Sequence, residues 1–302
     1  MRDLAKYTLP EWLQALPLSD AWKQTRNDVW QAFYNGKPAQ GLEAFLAQAT
    51  GRHLGLVVAF EQPWALNWQL SLAAKNVPGL QMLVFDNSRE AAMRERIAEV
   101  CRSHGVAYLS LPPGKTRHVN RSHGLAMNWI YRNVVLRLQP DSFMFIDHDM
   151  IPVLPNPYPA QVAEQPIYGR YNSAKPWSWQ FWAGYCAFRF DFAQGRRINF
   201  MYDFGNDLDT GGRNWPSVYR HFQPGSLRMA AHEFVPVTDP VTGEAATVEM
   251  VDGSWFHIGG ISYNNTFQKK SELCEHLAAA LEQGADWTDL CPAMRPDASA
   301  NV

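Results

Sequence analysis

The feature that most constrains the fold is a series of short apolar runs separated by segments with helical spacing. The runs cover Leu54–Phe60, Gly79–Phe85, Val106–Leu111 and Phe143–Ile146. A continuous apolar run is typical of a strand that is buried on both faces of a parallel sheet. The intervening segments, at 64–75, 90–101 and 119–138, predict helices. The alternation therefore predicts an α/β fold with a doubly wound sheet flanked by helices, whose crossovers are right-handed.

The flanking segments predict additions to one large domain. Residues 1–50 have apolar residues at helical spacings between prolines and predict an N-terminal helical cap. Residues 51–265 would form the main domain, and 266–302 a C-terminal helix with a flexible tail after Asp289. Within the main domain we expect strands at 167–171 and 181–190, joined by a tryptophan-rich loop. Shorter strands are expected at 235–237 and 247–251, and the segment 255–260 would close the sheet region.

Composition narrows the classes of partner and compartment. The net charge of -2 over 302 residues argues against a protein held to nucleic acid mainly through phosphates, although a local basic groove stays possible. The four cysteines have no CxxC spacing and indicate reduced thiols. No apolar segment resembles a signal peptide or approaches the roughly 20 residues that span a bilayer. We therefore expect a cytoplasmic protein without a membrane partner.

Acidic residues follow three of the four predicted strands, namely Glu61, Asp86 and the pair Asp147 and Asp149. Ligands of such sheets bind at the carboxyl ends of the strands. In an extended chain, residues two apart point the same way, so both carboxylates of Asp147-His148-Asp149 can converge on one Mg2+ or Mn2+. A polar turn after a strand explains that spacing equally well. Three acidic strand ends together favour a polar ligand site. The prolines at 152, 155, 157 and 159 should prevent regular structure beyond it.

A basic segment precedes and begins the predicted helix 119–138. Cations at a helix N-terminus add to the positive end of the dipole and destabilise the helix unless an anion docks there. Phosphate binding and a solvated basic turn both remain open on the sequence. The residues concerned are Lys115, Arg117, Arg121 and His123.

Two later segments carry further candidates. His257 lies in an apolar context, where a hydrogen-bonded core histidine is one interpretation and a metal ligand that joins Asp149 is the other. Asp207 and Asp209 lie in a polar segment. Either carboxylate could act as a general base towards a hydroxyl group, and a capped loop is the structural alternative.

The order of these motifs resembles the GT-A class of nucleotide-sugar glycosyltransferases, closest to its family 2-like group. The resemblance covers about residues 54–260. It is carried by the first apolar run, Asp86-Asn-Ser88, Asn120-Arg-Ser-His-Gly-Leu-Ala-Met-Asn128, Phe145-Ile-Asp-His-Asp149 and Trp255-Phe-His257. It implies a Rossmann-like mixed sheet flanked by helices.

The resemblance also implies roles for individual residues. Asp147 and Asp149 look like the two carboxylates of the DxD motif, the first nearer the ribose and both at the metal, with His257 as a later metal or diphosphate ligand. Asp209, before Asp207, lies where inverting members place the catalytic base, although a Glu-Asp pair is usual there. The implied nucleotide-sugar-binding residues are Glu61, Asp86, Arg121, His123, Asp147, Trp182 and Gly184.

The expected activity is thus that of an Mn2+- or Mg2+-dependent glycosyltransferase of the hexosyl- or pentosyltransferase class, acting with inversion. The donor would be a UDP- or GDP-sugar, and the acceptor a hydroxyl of a glycan, a small molecule or a modified biopolymer. A nucleotidyltransferase is the alternative enzyme, but Phe60-Glu-Gln-Pro63 lacks its glycine-rich loop. A glycan- or nucleic-acid-binding module without catalysis is the other alternative, suggested by the tryptophans at 177–182.

Overall fold

Six strands form the central sheet, in a computed structural model that describes residues 17–114, 116, 118–261 and 270–295. The strands are β1 His53–Ala59, β2 Gln81–Asp86, β3 Ala107–Ser110, β4 Ser142–Asp147, β6 Ile167–Lys175 and β7 Ser178–Arg189. Their order is β3-β2-β1-β4-β7-β6. The first four run parallel, and β7 and β6 are antiparallel additions. The predicted mixed α/β sheet flanked by helices is confirmed.

Helices α3, α4 and α5 connect the parallel strands and cover both faces of this sheet. The described helices are α1 Pro17–Asn35, α2 Leu42–Gln48, α3 Pro63–Asn76, α4 Ala91–Ser103, α5 Val119–Ile130, α6 Ala160–Glu164, α7 Phe190–Ala193, α8 Ser271–Glu282 and α9 Trp287–Leu290. Helix α5 continues through a π-helical turn, Tyr131–Val135, into Leu136–Leu138. Pro63 begins α3, where a missing N–H costs no hydrogen bond.

The alternation of side chains along β1 divides the core into two layers. Leu54, Leu56 and Val58 pack with α5 on one face, while Val57 and Ala59 pack with α3 and α4 on the other. All five side chains are buried. Polar and apolar residues do not alternate along this run because both faces of the strand are buried, as the sequence predicts.

A second sheet of four strands lies beyond β4. It contains β5 Met150–Pro152, β8 His232–Thr238, β9 Ala245–Val251 and β10 Trp255–His257, in the order β5-β10-β9-β8. Neighbouring strands of this sheet are antiparallel. Its apolar face packs with Trp68 of α3, and with Leu277 of α8 and Trp287 of α9. The sheet therefore shares α3 with the central sheet.

Three expectations about irregular segments need correction. The prolines after Asp149 do not prevent regular structure, because β5 is an edge strand that ends at Pro152, where no further pairing is required. The tryptophan-rich loop is instead a hairpin, in which β6 and β7 are joined by a turn at Pro176 and Trp177. Residues 287–295, assigned in part to a flexible tail, are folded, and Trp287 is buried.

Some predicted segments fall outside the described residues. The helical cap is described from residue 17 and the C-terminal helix from residue 270, and Lys115 and Arg117 are not described. Among the described helices, none is long and apolar enough to cross a membrane.

Candidate functional site

A cavity of about 240 Å³ opens at the carboxyl ends of the parallel strands. Strands β1 and β4 are neighbours there, while β2 and β3 lie on the other side of β1. This is the topological switch point, where ligands of open α/β sheets bind. The cavity is lined by Val58, Phe60, Asn87, Arg89, Val119, Asn120, Ser122, His123, Asp147, His148, Asp149, Trp182, Ala183, Asp209, Thr210, His257, Gly260 and Ile261.

Asp147 ends β4, and Asp149 lies in the two-residue turn before β5. Asp147 Oδ1 is 3.6 Å from Nε2 of His123 on α5. Burial raises the pKa of Asp147 even though His123 favours the ionised form, and the Asp149 carboxylate raises it further. Two neighbouring carboxylates at a mostly buried strand end therefore favour the arrival of positive charge.

The second sheet brings His257 to Asp149. Strand β10 pairs with β5, and the N–H of Ile258 donates to the carbonyl of Asp149. His257 Nε2 is 3.7 Å from Asp149 Oδ2, and His257 Nδ1 is 2.9 Å from Oε2 of Glu249 on β9. Burial alone would lower the pKa of His257, but the Asp149 and Glu249 carboxylates outweigh it and raise the pKa.

These donors fit a divalent cation that is also bound by phosphate. Ligands about 2.1 Å from one ion lie ~3.0 Å apart when adjacent and ~4.2 Å apart when opposite, so a separation of 3.7 Å is compatible with a shared ion. Within the described residues, no group of three or more His, Cys, Asp or Glu side chains could hold a metal. The expected set of Asp147, Asp149 and His257 is therefore not preassembled. Because Mg2+ usually takes one or two protein carboxylates and completes its shell with phosphates and water, Asp149 can supply the carboxylate of such a shell, with His257 beside it.

The N-terminus of α5 also lines the cavity. The His118 ring caps the helix by accepting from the N–H of Arg121, and it stacks on Tyr202. Asn120, Ser122 and His123 of the first turns line the cavity. Free N–H groups at such a terminus and the helix dipole favour an anion.

Hydrogen bonds link the segment that carries Asp209 to helix α5. Asn120 Nδ2 donates to Asp209 Oδ1 at 2.6 Å, and the Thr210 N–H donates to the same oxygen. Further along α5, Asn128 accepts from the N–H of Phe200. Asp209 lines the cavity, whereas Asp207 is exposed in a turn with a φ of 57° and is not part of the wall.

Asp86 and Glu61 are not among the residues that line the cavity. Asp86 is fully buried, and its oxygens accept from the N–H of Ser88 and the hydroxyl of Tyr108. Glu61 has a φ of 54° and accepts from the N–H of Arg89. Both carboxylates therefore shape the loop that follows β2 in this structure, and neither lines the cavity.

Arg121 points towards the N-terminal helices instead of the cavity. Its guanidinium donates to Asn27, Thr116 and Tyr202 and lies over the Trp30 ring. The described lining residues include one Lys or Arg side chain, that of Arg89. Its guanidinium lies over the Phe60 ring. The sequence reasoning missed Arg89, whose position three residues after Asp86 was the available signal.

Trp182 and Gly184 of β7 shape the floor beside Asp147. The centroids of the Trp182 and His257 rings are 4.7 Å apart. The Arg170 guanidinium lies over the Trp182 ring, 5.0 Å from its centroid. A Cβ on Gly184 would come within 3.0 Å of both Asp147 and Trp182. Trp179 is buried in the core, so Trp177 is the exposed member of the tryptophan cluster at 177–182.

A second, more open cavity of about 770 Å³ lies at the opposite, amino-terminal edge of the sheet. Its His53 and Ser142 are hydrogen-bonded to each other, and Ser142 also contacts Tyr158. Its Arg189 is paired with Asp191. Since these polar groups already have partners, the first cavity is the stronger candidate site.

No protein-family model matches this sequence, and no curated protein is significantly similar to it. Among solved structures, the chain is similar to the mannosyltransferase PcManGT from Pyrobaculum calidifontis in complex with GDP-Man and Mn2+, with 13% identity over 63% of this chain and 57% of that chain and a TM-score of 0.36. The galactosyltransferase LgtC gives 13% identity over 45% of this chain and 58% of that chain, with a TM-score of 0.32.

A third similar structure is glucosyl-3-phosphoglycerate synthase from Mycobacterium tuberculosis in complex with Mn2+, UDP and phosphoglyceric acid. The identity is 14% over 54% of this chain and 65% of that chain, with a TM-score of 0.32. In all three cases the chain spans less than two thirds of the matched structure. These structures are GT-A glycosyltransferases, the group that the sequence motifs resemble.

Proposed function

We propose that this protein is a metal-dependent glycosyltransferase that moves a sugar from a nucleoside diphosphate to an acceptor hydroxyl. The observation that carries the proposal is the cavity at the switch point, whose lining includes both the Asp149–His257 pair and the N-terminus of α5. The pair suits a divalent cation and the helix N-terminus suits an anion. A metal diphosphate satisfies both at once.

The donor diphosphate would lie between α5 and Asp149. The N–H groups at the start of α5 and the Arg89 guanidinium would bind its oxygens. Asp149 and His257 would hold Mn2+ or Mg2+, which when bound neutralises charge on the leaving diphosphate. Trp182 and Ala183 would border the sugar and exclude water from one side.

Asp209 would accept the proton of the acceptor hydroxyl, with inversion at the sugar. The hydrogen bonds from Asn120 and Thr210 go to Asp209 Oδ1 and fix the orientation of the carboxylate. The other oxygen, Oδ2, would then take the proton while the hydroxyl oxygen attacks the anomeric carbon and the bond from that carbon to the diphosphate breaks. Asp207 is the less suitable base because it does not line the cavity.

The alternative functions have less support from the described residues. The connection from β1 to α3 is Phe60-Glu61-Gln62, with no glycine to wrap a triphosphate, which speaks against a nucleotidyltransferase. A binding module built on stacked tryptophans would need several exposed rings, and of the tryptophans at 177–182 it is Trp177 that is largely exposed.

Calorimetry and product analysis test the proposal. The purified protein should bind UDP or GDP more tightly with Mn2+ than without, and should release nucleoside diphosphate from the matching nucleotide-sugar. Asp149→Ala should abolish both effects, whereas Glu95→Ala, an exposed carboxylate on α4, should retain them. Metal-independent binding of UDP and GDP, or unchanged turnover by a folded Asp149→Ala variant, would refute the proposal.

A further inference from the structure

We propose that Glu249 is a positioning residue that fixes the orientation and the proton of His257. The inference rests on the proposed function, because it concerns the metal-binding wall of the same cavity. Glu249 lies outside the cavity lining and contacts His257 from behind. Its most direct effect on the site would pass through the imidazole.

The register of the second sheet places the two side chains opposite each other. His257 on β10 pairs directly with Glu249 on β9, and with Met150 of β5 on its other side. Directly opposed side chains in an antiparallel pair share one face of the sheet. A slip of one residue would turn Glu249 to the other face, so the pairing itself delivers the carboxylate to the imidazole.

The hydrogen bond determines which ring nitrogen carries the proton. The Glu249 carboxylate is 2.9 Å from His257 Nδ1, 2.8 Å from His232 Nε2 and 3.4 Å from the Arg170 guanidinium, so groups that can donate surround it. A carboxylate in this setting accepts, and His257 Nδ1 is therefore the donor. The lone pair for a metal then belongs to Nε2, the nitrogen that faces Asp149.

Glu249 is itself held in place from the other side. Its Oε1 is 2.8 Å from His232 Nε2 on β8 and 3.4 Å from Arg170 on β6. Arg170 also contacts His232 and lies over the Trp182 ring. These contacts limit the rotation of the Glu249 carboxylate, so that it retains one geometry towards His257.

The test makes two measurements. Electron paramagnetic resonance of free Mn2+ gives the Mn2+ affinity in the presence of UDP or GDP. 15N NMR shows which nitrogen of the His257 ring carries the proton. Loss of a carboxylate that orients a metal-binding histidine typically weakens metal binding about 10–100-fold, and we expect this for Glu249→Ala. Glu249→Gln keeps an acceptor oxygen and should recover most of the affinity. The neutral His257 ring should be protonated at Nδ1 in the wild type and should become a mixture of the two forms in Glu249→Ala.

A matched control lies just after strand β8 of the same sheet. Asp239 accepts from Nδ1 of His276 at 2.9 Å, which repeats the carboxylate–histidine contact away from the cavity. Asp239→Asn should leave Mn2+ affinity unchanged. If Glu249→Ala binds Mn2+ like the wild type, or if Asp239→Asn loses as much affinity, the inference is wrong while the proposed function stands. A wild type that binds no Mn2+ with either nucleotide overturns the proposed function itself.

Discussion

Gly184 lies directly against the carboxylate of Asp147: a Cβ at this position would come within 3.0 Å of Asp147 Oδ2. The same Cβ would collide with the Trp182 ring. Since β7 and β4 are paired strands, neither backbone can withdraw without breaking the sheet. The glycine therefore sets the position of an aspartate on the neighbouring strand, and through it one corner of the cavity.

Gly184→Ala should consequently impair the site more than the fold. The added methyl group pushes aside Asp147 or Trp182, and a displacement of about 1 Å near reacting groups can cost on the order of 100-fold in turnover. Donor turnover and nucleotide affinity, measured with Mn2+, should both fall. Gly195→Ala is the matched control, because its Cβ would have no neighbour within 4 Å. Equal activity of the two variants would contradict the prediction.

The two aspartates of the 207–209 segment should differ sharply. Asp209→Asn removes the proposed base while its amide can still pair with Asn120, so transfer to the acceptor should fall by about 100-fold or more. Affinity for the donor nucleotide should change little. Asp207→Asn should behave like the wild type, since Asp207 is exposed and outside the cavity. The comparison uses kcat for transfer and calorimetric binding of the nucleotide. A larger defect in Asp207→Asn would reverse the assignment.

Acid should weaken the attachment of α8 through Asp239. Partial burial alone would raise the pKa of Asp239, but hydrogen bonds from His276, Val241 and Thr242 lower it to about 2. A carboxylate with a lowered folded-state pKa stabilises the protein above its ordinary pKa of 3.8, and that stabilisation is lost as the pH falls towards 2.

The Asp239→Asn variant isolates this effect. It should be less stable than the wild type at pH 5, and the difference should shrink at pH 2.5. Urea midpoints of the variant and the wild type at the two pH values measure the difference in stability. Glu95→Gln is the control, and its difference from the wild type should be the same at both pH values. If the stability of Asp239→Asn differs from that of the wild type by the same amount at both pH values, the pKa of Asp239 is not lowered to about 2.

Asp252 should be a major contributor to stability. Its carboxylate accepts hydrogen bonds from Tyr168, Tyr185, Asn156 and Gln161, which join the central sheet to the turn before β10. Hydrogen bonds to a charged group contribute about 1.5–3 kcal/mol each, and removal leaves buried partners unsatisfied. Asp252→Ala should therefore lower the free energy of unfolding by about 3 kcal/mol or more.

Urea denaturation measures that loss against Asp191→Ala. Asp191 forms an exposed ion pair with Arg189, which is worth less than about 1 kcal/mol. If the two variants lose the same stability, the Asp252 network does not hold the sheets together as described.

The sequence predicted the parallel strands well and the antiparallel part less well. Apolar runs such as Leu54–Phe60 identify strands because burial on both faces leaves no polar alternation. Short strands such as β5 cannot be identified in this way. Met150–Pro152 is too brief to show a pattern, and it is a strand because it pairs with β10. The proline there argued for a loop, yet an edge strand accommodates it.

The α/β layering and the position of Asp147 and Asp149 at a strand end could be predicted from the sequence, because burial and strand termination are local properties of a segment. For the later residues the sequence offered only candidates, and the folded arrangement selects among them. It brought His257 to Asp149, set Glu249 behind His257, turned Arg121 towards the N-terminal helices and buried Asp86. Each of these outcomes depends on the register and packing of elements that are distant along the chain. Spacing along a sequence does not fix such relationships, since they are set by the pairing of strands and the packing of helices in space.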